Sequence, residues 1–400
     1  MKIAFIVTDL SNIRIGGISR VATEVGANLA ALGHEVVAYV LDRRLKDQPD
    51  SYRGITLRYI ESFPSLNPDY PVLGFSHRAF AKFCADASAE QFDVLQTFNL
   101  NGFALTKFRS RLRELNIPCV IASYETIAMD VKAKANEFKT LPSLKTLGQI
   151  VFESILAIFY EKKYLKAADN IITEDQNTTN ALIAMGMDAD KIHLIPSGVD
   201  ISLADKAVPP KLDIRQGNAG PIIGYIGRVD PRKGVQYLIK AMSKVRRRYP
   251  KATLFLAGGS RHGYEEVVQK LITQNDLAHS IKVLGRVDGD ILPYYKLADL
   301  IVIPSLSEGI PITLGEAMAS RIPVVISKLP GVLPYIKPQD LVFWASIGDH
   351  DDLAEAIIKA LDDPQKEHRT NRARKFIEDF SWESVALQYL SIYSRSLTNE

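Results

Sequence analysis

Short, nearly continuous apolar runs alternate with longer amphipathic segments along almost the whole chain. A strand covered by helices on both faces reads as an unbroken apolar run, because neither face meets water. Repeated in alternation with helices, that pattern selects an α/β fold with parallel sheets. In the first half the runs fall at residues 2–8, 35–40, 93–98, 119–123, 170–174 and 192–196. A helix is expected over 18–32, closed by Gly33, because glycine accepts the left-handed conformation that ends a helix. The periodicity then fades into Ala207-Val208-Pro209-Pro210 and Gln216-Gly217-Asn218-Ala219-Gly220-Pro221, a turn-forming stretch suited to a linker. Beyond it the pattern restarts, with strands expected at 222–227, 253–257, 281–285, 300–304, 323–327 and 341–344.

A chain of 400 residues is too long for one compact core. Its two βα-repeating parts imply two doubly wound domains, residues 1–205 and 206–381. Ligands in such sheets bind outside the carboxyl ends of the strands, so the expected site is a cleft between two facing domains.

Several function classes are disfavoured. Lysine and arginine total 49 against 46 acidic residues, a net charge of +3, and no local basic patch carries base-reading residues, so no nucleic-acid partner is expected. Cys84 and Cys119 lie in apolar stretches without a histidine or second cysteine at metal-ligand spacing and read as small buried hydrophobes of a reducing compartment. The apolar start, residues 3–7, is too short for a signal peptide. No run reaches the ~18 apolar residues of a membrane span. A cytoplasmic location is expected, at most peripheral on the inner membrane face.

Three segments carry candidate chemistry. The first is Ser305-Leu306-Ser307-Glu308-Gly309-Ile310-Pro311-Ile312-Thr313-Leu314-Gly315-Glu316, which follows an expected strand and opens a helix near Pro311. The unpaired N–H groups of Ile312 and Thr313, at the positive end of that helix, suit a phosphate. Glu308 ahead of the helix and Glu316 inside it are expected to flank a nucleoside diphosphate and grip its hydroxyls. The second is Gly227-Arg228-Val229-Asp230-Pro231-Arg232-Lys233-Gly234, where Arg228 and Lys233 stand at a sheet edge and can meet charge growing on a leaving diphosphate. The third is Gly16-Gly17 after the first strand, where glycine permits either close approach to a ligand or a tight turn.

Together these segments, with Ile195-Pro196-Ser197-Gly198-Val199-Asp200, resemble glycosyltransferase family 4, retaining enzymes of the GT-B fold with two facing Rossmann-like domains. The resemblance implies a nucleotide diphosphate sugar as donor, a sugar or lipid-linked acceptor, and neither cofactor nor metal. It places Arg228 and Lys233 on the diphosphate, Glu308 on the transferred sugar and Glu316 on the ribose, with Gly16, Gly17, Val287, Gly309, Ile310, Pro311, Ile312 and Thr313 in the donor site. It also implies that residues 382–400 form a helix crossing back onto the first domain. Three positions depart from the family pattern: Tyr124 replaces a histidine, Ser197 an asparagine and Pro334 a glutamate. The donor sugar is left open by the first of these. Acceptor candidates are His77, Asn99, Tyr124 and Glu125, in the first domain.

Blander readings compete elsewhere. Asp288-Gly289-Asp290 has the spacing of a metal-binding pair but reads as a turn with Asp290 capping a helix, and Asp349-His350-Asp351-Asp352 as a polar helix start. The apolar residues Leu144, Leu147, Val151, Ile155, Ile158, Phe159 and Leu165 recur at helical spacing among Lys145, Lys162, Lys163 and Lys166. Core packing is the expected use of that stripe; contact with anionic lipid is the alternative. For function, the alternatives are a nucleotide-sugar hydrolase or epimerase of the same fold, or an inactive nucleotide-binding partner. A dehydrogenase is disfavoured because no Gly-x-Gly-x-x-Gly follows a strand.

Overall fold

The computed structural model describes residues 1–11, 16–44, 48–61, 72–140, 144–214, 219–260, 263–287 and 289–398, with backbone alone at 72–73, 133, 136–140 and 144–145. The chain divides into two compact units, residues 1–198 with 382–400, and residues 199–381.

In the first unit eight strands form one sheet: β1 (Lys2–Ile6), β2 (Glu35–Leu41), β3 (Ser51–Tyr52), β4 (Ile55–Ile60), β5 (Val94–Phe98), β6 (Cys119–Ala122), β7 (Asn170–Thr173) and β8 (Ile192–Leu194). Their order is β3-β4-β2-β1-β5-β6-β7-β8, parallel except for the β3–β4 pair. The apolar runs become strands as expected, mostly buried except for β8, whose residues are half-buried or exposed. The β3–β4 hairpin is an addition to the sequence reading: β4 alternates buried and solvent-facing residues near the sheet edge, so it leaves no unbroken apolar run.

Helix Gly17–Ala31 ends at Leu32, and Gly33 follows at φ 86°. Tyr39, Phe75, Phe80, Phe83, Phe92 and Tyr164 form the aromatic part of the core. Cys84 and Cys119 are free and buried. The terminal helix Trp382–Thr398 packs within this unit, where the Tyr393 hydroxyl donates to Gln96 Oε1 at 3.2 Å and Asn170 Nδ2 to Ser396 Oγ at 2.8 Å. Gly198 lets that helix seat, since a Cβ there would lie 2.6 Å from the Trp382 ring.

Ile127–Thr140 forms a helix. Its first N–H, that of Ile127, donates to Glu161 Oε1 at 2.6 Å. Glu161 belongs to a long helical stretch: Leu144–Leu156, a π-helical turn Ala157–Glu161, and Lys162–Lys166. Here the core-packing expectation holds for Leu165, which is buried, and is corrected for the other described side chains of the stripe. Leu147 is 43% exposed, Val151 54%, Ile155 46%, Ile158 71% and Phe159 57%, whereas Thr146, Gln149, Glu153 and Glu161 are buried. The inward face is mainly polar because it meets polar partners, including the Ile127 N–H at Glu161 and the Lys134 ammonium at Glu153.

In the second unit six parallel strands form a sheet: β9 (Ile222–Ile226), β10 (Thr253–Ala257), β11 (Ile281–Gly285), β12 (Leu300–Ile303), β13 (Val324–Ser327) and β14 (Phe343–Ala345), in the order β11-β10-β9-β12-β13-β14. Helices Val235–Arg248 and His350–Leu361 cover one face, and Ile312–Ala319 and Lys366–Glu378 the other. At the carboxyl ends of β9 and β12 the backbone is tightly apposed. Gly234 has φ 71°, and a Cβ on it would lie 1.9 Å from the Pro304 carbonyl oxygen.

Two outcomes follow. Burial pushes the Glu161 carboxyl up to about 7, against the opposing pull of the Ile127 and Ala128 N–H groups. A carboxyl with a raised folded pKa holds its proton more tightly in the folded state, so its contribution to stability is full below the ordinary glutamate range and is lost as pH rises through about 7. Thermal unfolding should show Tm declining between about pH 5 and 8, with a shallower decline in Glu161→Gln. Gly234→Ala combines a disfavoured backbone conformation, about 1–3 kcal/mol, with a clash against main chain, and a fall in the urea unfolding midpoint measures the loss.

Candidate functional site

In the second sheet the chain order reverses between β9 and β12, the place where doubly wound folds bind ligands. Two loops leave the sheet there. After β9 the chain turns at Gly227, φ 146°, and the Tyr225 hydroxyl donates to the Arg228 carbonyl at 2.6 Å. Asp230 then organises the turn Pro231–Lys233: one carboxylate oxygen accepts the Lys233 N–H at 3.2 Å and the other Arg228 Nε at 2.6 Å. After β12 the Leu306 N–H donates to the Arg232 carbonyl at 2.8 Å, tying the second loop to the first.

This backbone framework brings Lys233 and Glu308 together. The Lys233 ammonium donates to one Glu308 carboxylate oxygen and the Ser305 hydroxyl to the other. Glu308 is thereby held at both oxygens, with its side chain 10% exposed and that of Lys233 21%. Arg228 reaches further into solvent, 61% exposed.

Helix Ile312–Ala319 starts from the same loop. Pro311 is its cap residue, at ψ 128°, rather than part of its first turn, and its carbonyl accepts the Leu314 N–H at 2.9 Å. The N–H groups of Ile312 and Thr313 head the helix, with Ile310 and Pro311 buried behind them and Gly309 half-buried. Glu316, one to two turns inside this helix, is 2% exposed and accepts the Tyr295 hydroxyl at 2.6 Å. Val287, half-buried, follows β11.

Ser305, Asp230 and Tyr295 were not singled out from sequence. Asp230-Pro231 carries a legible signal, an acceptor at a cap followed by proline. Ser305 has only its spacing to Glu308, and Tyr295, on another helix, has none.

Asp290 accepts the Leu292 N–H at 3.0 Å, and Asp288 lies outside the described residues. Asp349, His350 and Asp351 are near enough to hold a cation, but all are exposed and Asp349 caps a helix, accepting the Asp351 and Asp352 N–H groups. That makes the stretch a polar helix start.

In the first unit neither Gly16 nor Gly17 has positive φ, and a Cβ at Gly17 would meet nothing within 4 Å. The turn therefore does not itself require glycine. Asn99, at φ 46° after β5, accepts the Tyr124 N–H at 2.9 Å through Oδ1, which joins the loops after β5 and β6. Tyr124 is buried and its hydroxyl pairs with that of Tyr389 at 2.7 Å, so its hydroxyl faces the terminal helix. Glu125 beside it is half-buried. The His77 ring packs edge-on against Phe103, centroids 6.0 Å apart.

Residues 15–203 match the family described as Glycosyltransferase Family 4, and residues 213–376 the one described as Glycosyl transferases group 1. An uncharacterized glycosyltransferase of Methanocaldococcus jannaschii is 31% identical over 51% of this chain and 54% of its own length. A GDP-mannose-dependent monoacylated alpha-(1-6)-phosphatidylinositol monomannoside mannosyltransferase of Corynebacterium glutamicum is 33% identical over 50% and 55%. The chain thus spans about half the length of each of these two relatives. The sucrose-phosphate synthase structure from Thermosynechococcus elongatus shares the fold along 100% of both chains, with TM-score 0.80 and 22% identity. With family matches in both units and the GT-B fold of two Rossmann-like units, this chain belongs to glycosyltransferase family 4.

Proposed function

We propose that this glycosyltransferase uses a nucleoside diphosphate sugar and transfers its sugar, with retention at the anomeric carbon, to an acceptor hydroxyl. The observation that carries this reading is the Lys233–Glu308–Ser305 cluster at the switch point of the second sheet, beside the amino end of helix Ile312–Ala319. Lysine and carboxylate neutralise each other there until a diphosphate arrives. Its oxygens then take the ammonium of Lys233, with the Arg228 guanidinium and the Ile312 and Thr313 N–H groups as further donors. Glu308, released from Lys233 but still held by Ser305, is left to accept hydrogen bonds from sugar hydroxyls.

As the anomeric C–O bond to phosphate breaks, negative charge grows on the leaving diphosphate, and Arg228 and Lys233 stabilise it most when it is greatest. The acceptor oxygen bonds to the anomeric carbon on the face the phosphate leaves, and its proton passes to a phosphate oxygen. These cations fill the role that a divalent ion otherwise plays. Glu316 serves the ribose, with Tyr295 holding one of its oxygens. Gly16 and Gly17, which the turn does not need, suit close approach of a ligand to main chain. Asn99, Glu125 and His77 are the acceptor-side candidates. The Corynebacterium relative, named for GDP-mannose as donor and a phosphatidylinositol monomannoside as acceptor, supports both the donor class and a lipid-linked acceptor.

A thermal-shift panel of nucleotide sugars identifies the donor, because a bound ligand stabilises the fold by mass action. With that donor, Glu308→Ala should lower kcat about a hundredfold or more and leave the nucleoside diphosphate Kd close to the parent value. Glu316→Ala should chiefly raise that Kd. Equal loss of nucleotide affinity in both variants sinks the division of roles, and donor turnover in water without acceptor points to a hydrolase. Activity should also persist in a chelator; complete loss, restored by manganese or magnesium, overturns the metal-independent mechanism.

A further inference from the structure

Between Thr146 and Glu161 the helical stretch is largely inverted relative to an ordinary surface helix, with Leu156 buried among polar neighbours and the apolar core contact resuming at Tyr164 and Leu165. Leu147, Val151, Phe152, Ile155, Ile158 and Phe159 are all exposed, while Thr146, Gln149, Glu153 and Glu161 are buried. Surface helices in water place polar residues outward, and a contiguous exposed apolar face marks a surface with a partner. The charges sort in the same way. Glu153 and Glu161 are the two acidic residues between positions 144 and 166, and both are buried. Lys162, Lys163 and Lys166, in the two turns after the apolar residues, are exposed. The outward face is therefore apolar along its first turns and cationic at its end, with no carboxylate among its described residues.

We propose that this face docks on a bilayer surface containing anionic lipid, with Ile155, Ile158 and Phe159 entering the boundary between headgroups and acyl chains and the three lysines meeting lipid phosphates. Long lysine side chains suit that place, since their methylene stems lie along apolar surface while the ammonium stays in the headgroup layer. A second copy of this chain fits less well. A symmetric pairing sets the same patch against itself, and the described residues of the patch offer no carboxylate to three lysines. Bound lipid would also lie close in the chain to the acceptor-side loop. Glu161, in the same π-helical turn as Ile158 and Phe159, holds the Ile127 N–H, two residues beyond Glu125. That link bears on a lipid-linked acceptor and rests on the glycosyl-transfer reading, whereas docking itself does not.

Sedimentation with vesicles of phosphatidylcholine, with and without phosphatidylglycerol, tests the proposal in the absence of donor. The parent should bind the mixed vesicles, bind pure phosphatidylcholine weakly, and be released by salt, because exposed charges are screened. Replacing Lys162, Lys163 and Lys166 by glutamate should lower partitioning about tenfold or more. The double variant Ile158→Ser with Phe159→Ser should do likewise, with Tm and nucleoside diphosphate affinity kept in both variants as proof of folding and of an intact donor site. A parent that ignores anionic vesicles, or variants that bind as the parent does, overturns the proposal. So does sedimentation equilibrium showing a dimer that the serine variant dissociates while vesicles are not bound. Loss of nucleotide binding in the parent would instead count against the donor reading and leave the docking result standing.

Discussion

Gly234 runs so close beneath the Pro304 carbonyl that a single Cβ would occupy the same space. The candidate donor site depends on that apposition. Because the backbone after β9 touches the backbone at the end of β12, the two loops behave as one body, further tied by the Leu306 N–H on the Arg232 carbonyl. Lys233 and Glu308 are far apart in sequence, yet they meet without long flexible side chains having to search for each other. The rotamer entropy of a lysine is a real cost, and a rigid loop pair reduces what must be ordered when a ligand arrives. Asp230 contributes from within the first loop, accepting from Lys233 main chain and from Arg228.

The second constraint is the direction taken by carboxylates. Glu308 is held at both oxygens, one by the Lys233 ammonium and the other by the Ser305 hydroxyl. Glu316 is held by Tyr295 inside the unit, and Glu161 is buried as the acceptor for the amino end of the helix that starts at Ile127. All are glutamates, but their surroundings differ: a loop edge, a helix interior and a helix start. Only the first sits where a charge can be exchanged at small cost. Burial of Glu161 without an ion pair raises its pKa to about 7, since removing a carboxylate from water disfavours its charged form.

Most of the fold was legible before any coordinates. The apolar runs at β1, β2, β5, β6, β9, β10 and β12 report strands covered on both faces, and parallel sheets follow from the helices between them. The β3–β4 hairpin escaped because β4, next to the edge strand β3, alternates instead of running apolar. Around the site, Arg228, Lys233, Glu308 and the helix start near Pro311 could be named from local order, since each lies within a few residues of a strand end. Ser305 and Tyr295 could not. Their value lies in a contact, and Tyr295 reaches Glu316 from a separate helix.

The sequence by itself determined the α/β alternation, the two sheets and the family, because strand burial and helix amphipathicity are periodic and local. Tertiary structure alone decided which side of a periodic pattern faces water. The stripe from Leu147 to Phe159 has the spacing of any helix with an apolar face, and spacing is unchanged by rotation about the helix axis. What turned that face outward was the polar set opposite it, Glu161 on the Ile127 N–H and Glu153 with Lys134, whose partners come from a different helix. In the same way Tyr124 looked like a residue at the mouth of a loop. Its hydroxyl was claimed by Tyr389, 265 positions later, because the terminal helix packs against β5 and its neighbours. Burial and hydrogen bonding between distant segments depend on where the chain returns, and no local pattern encodes that.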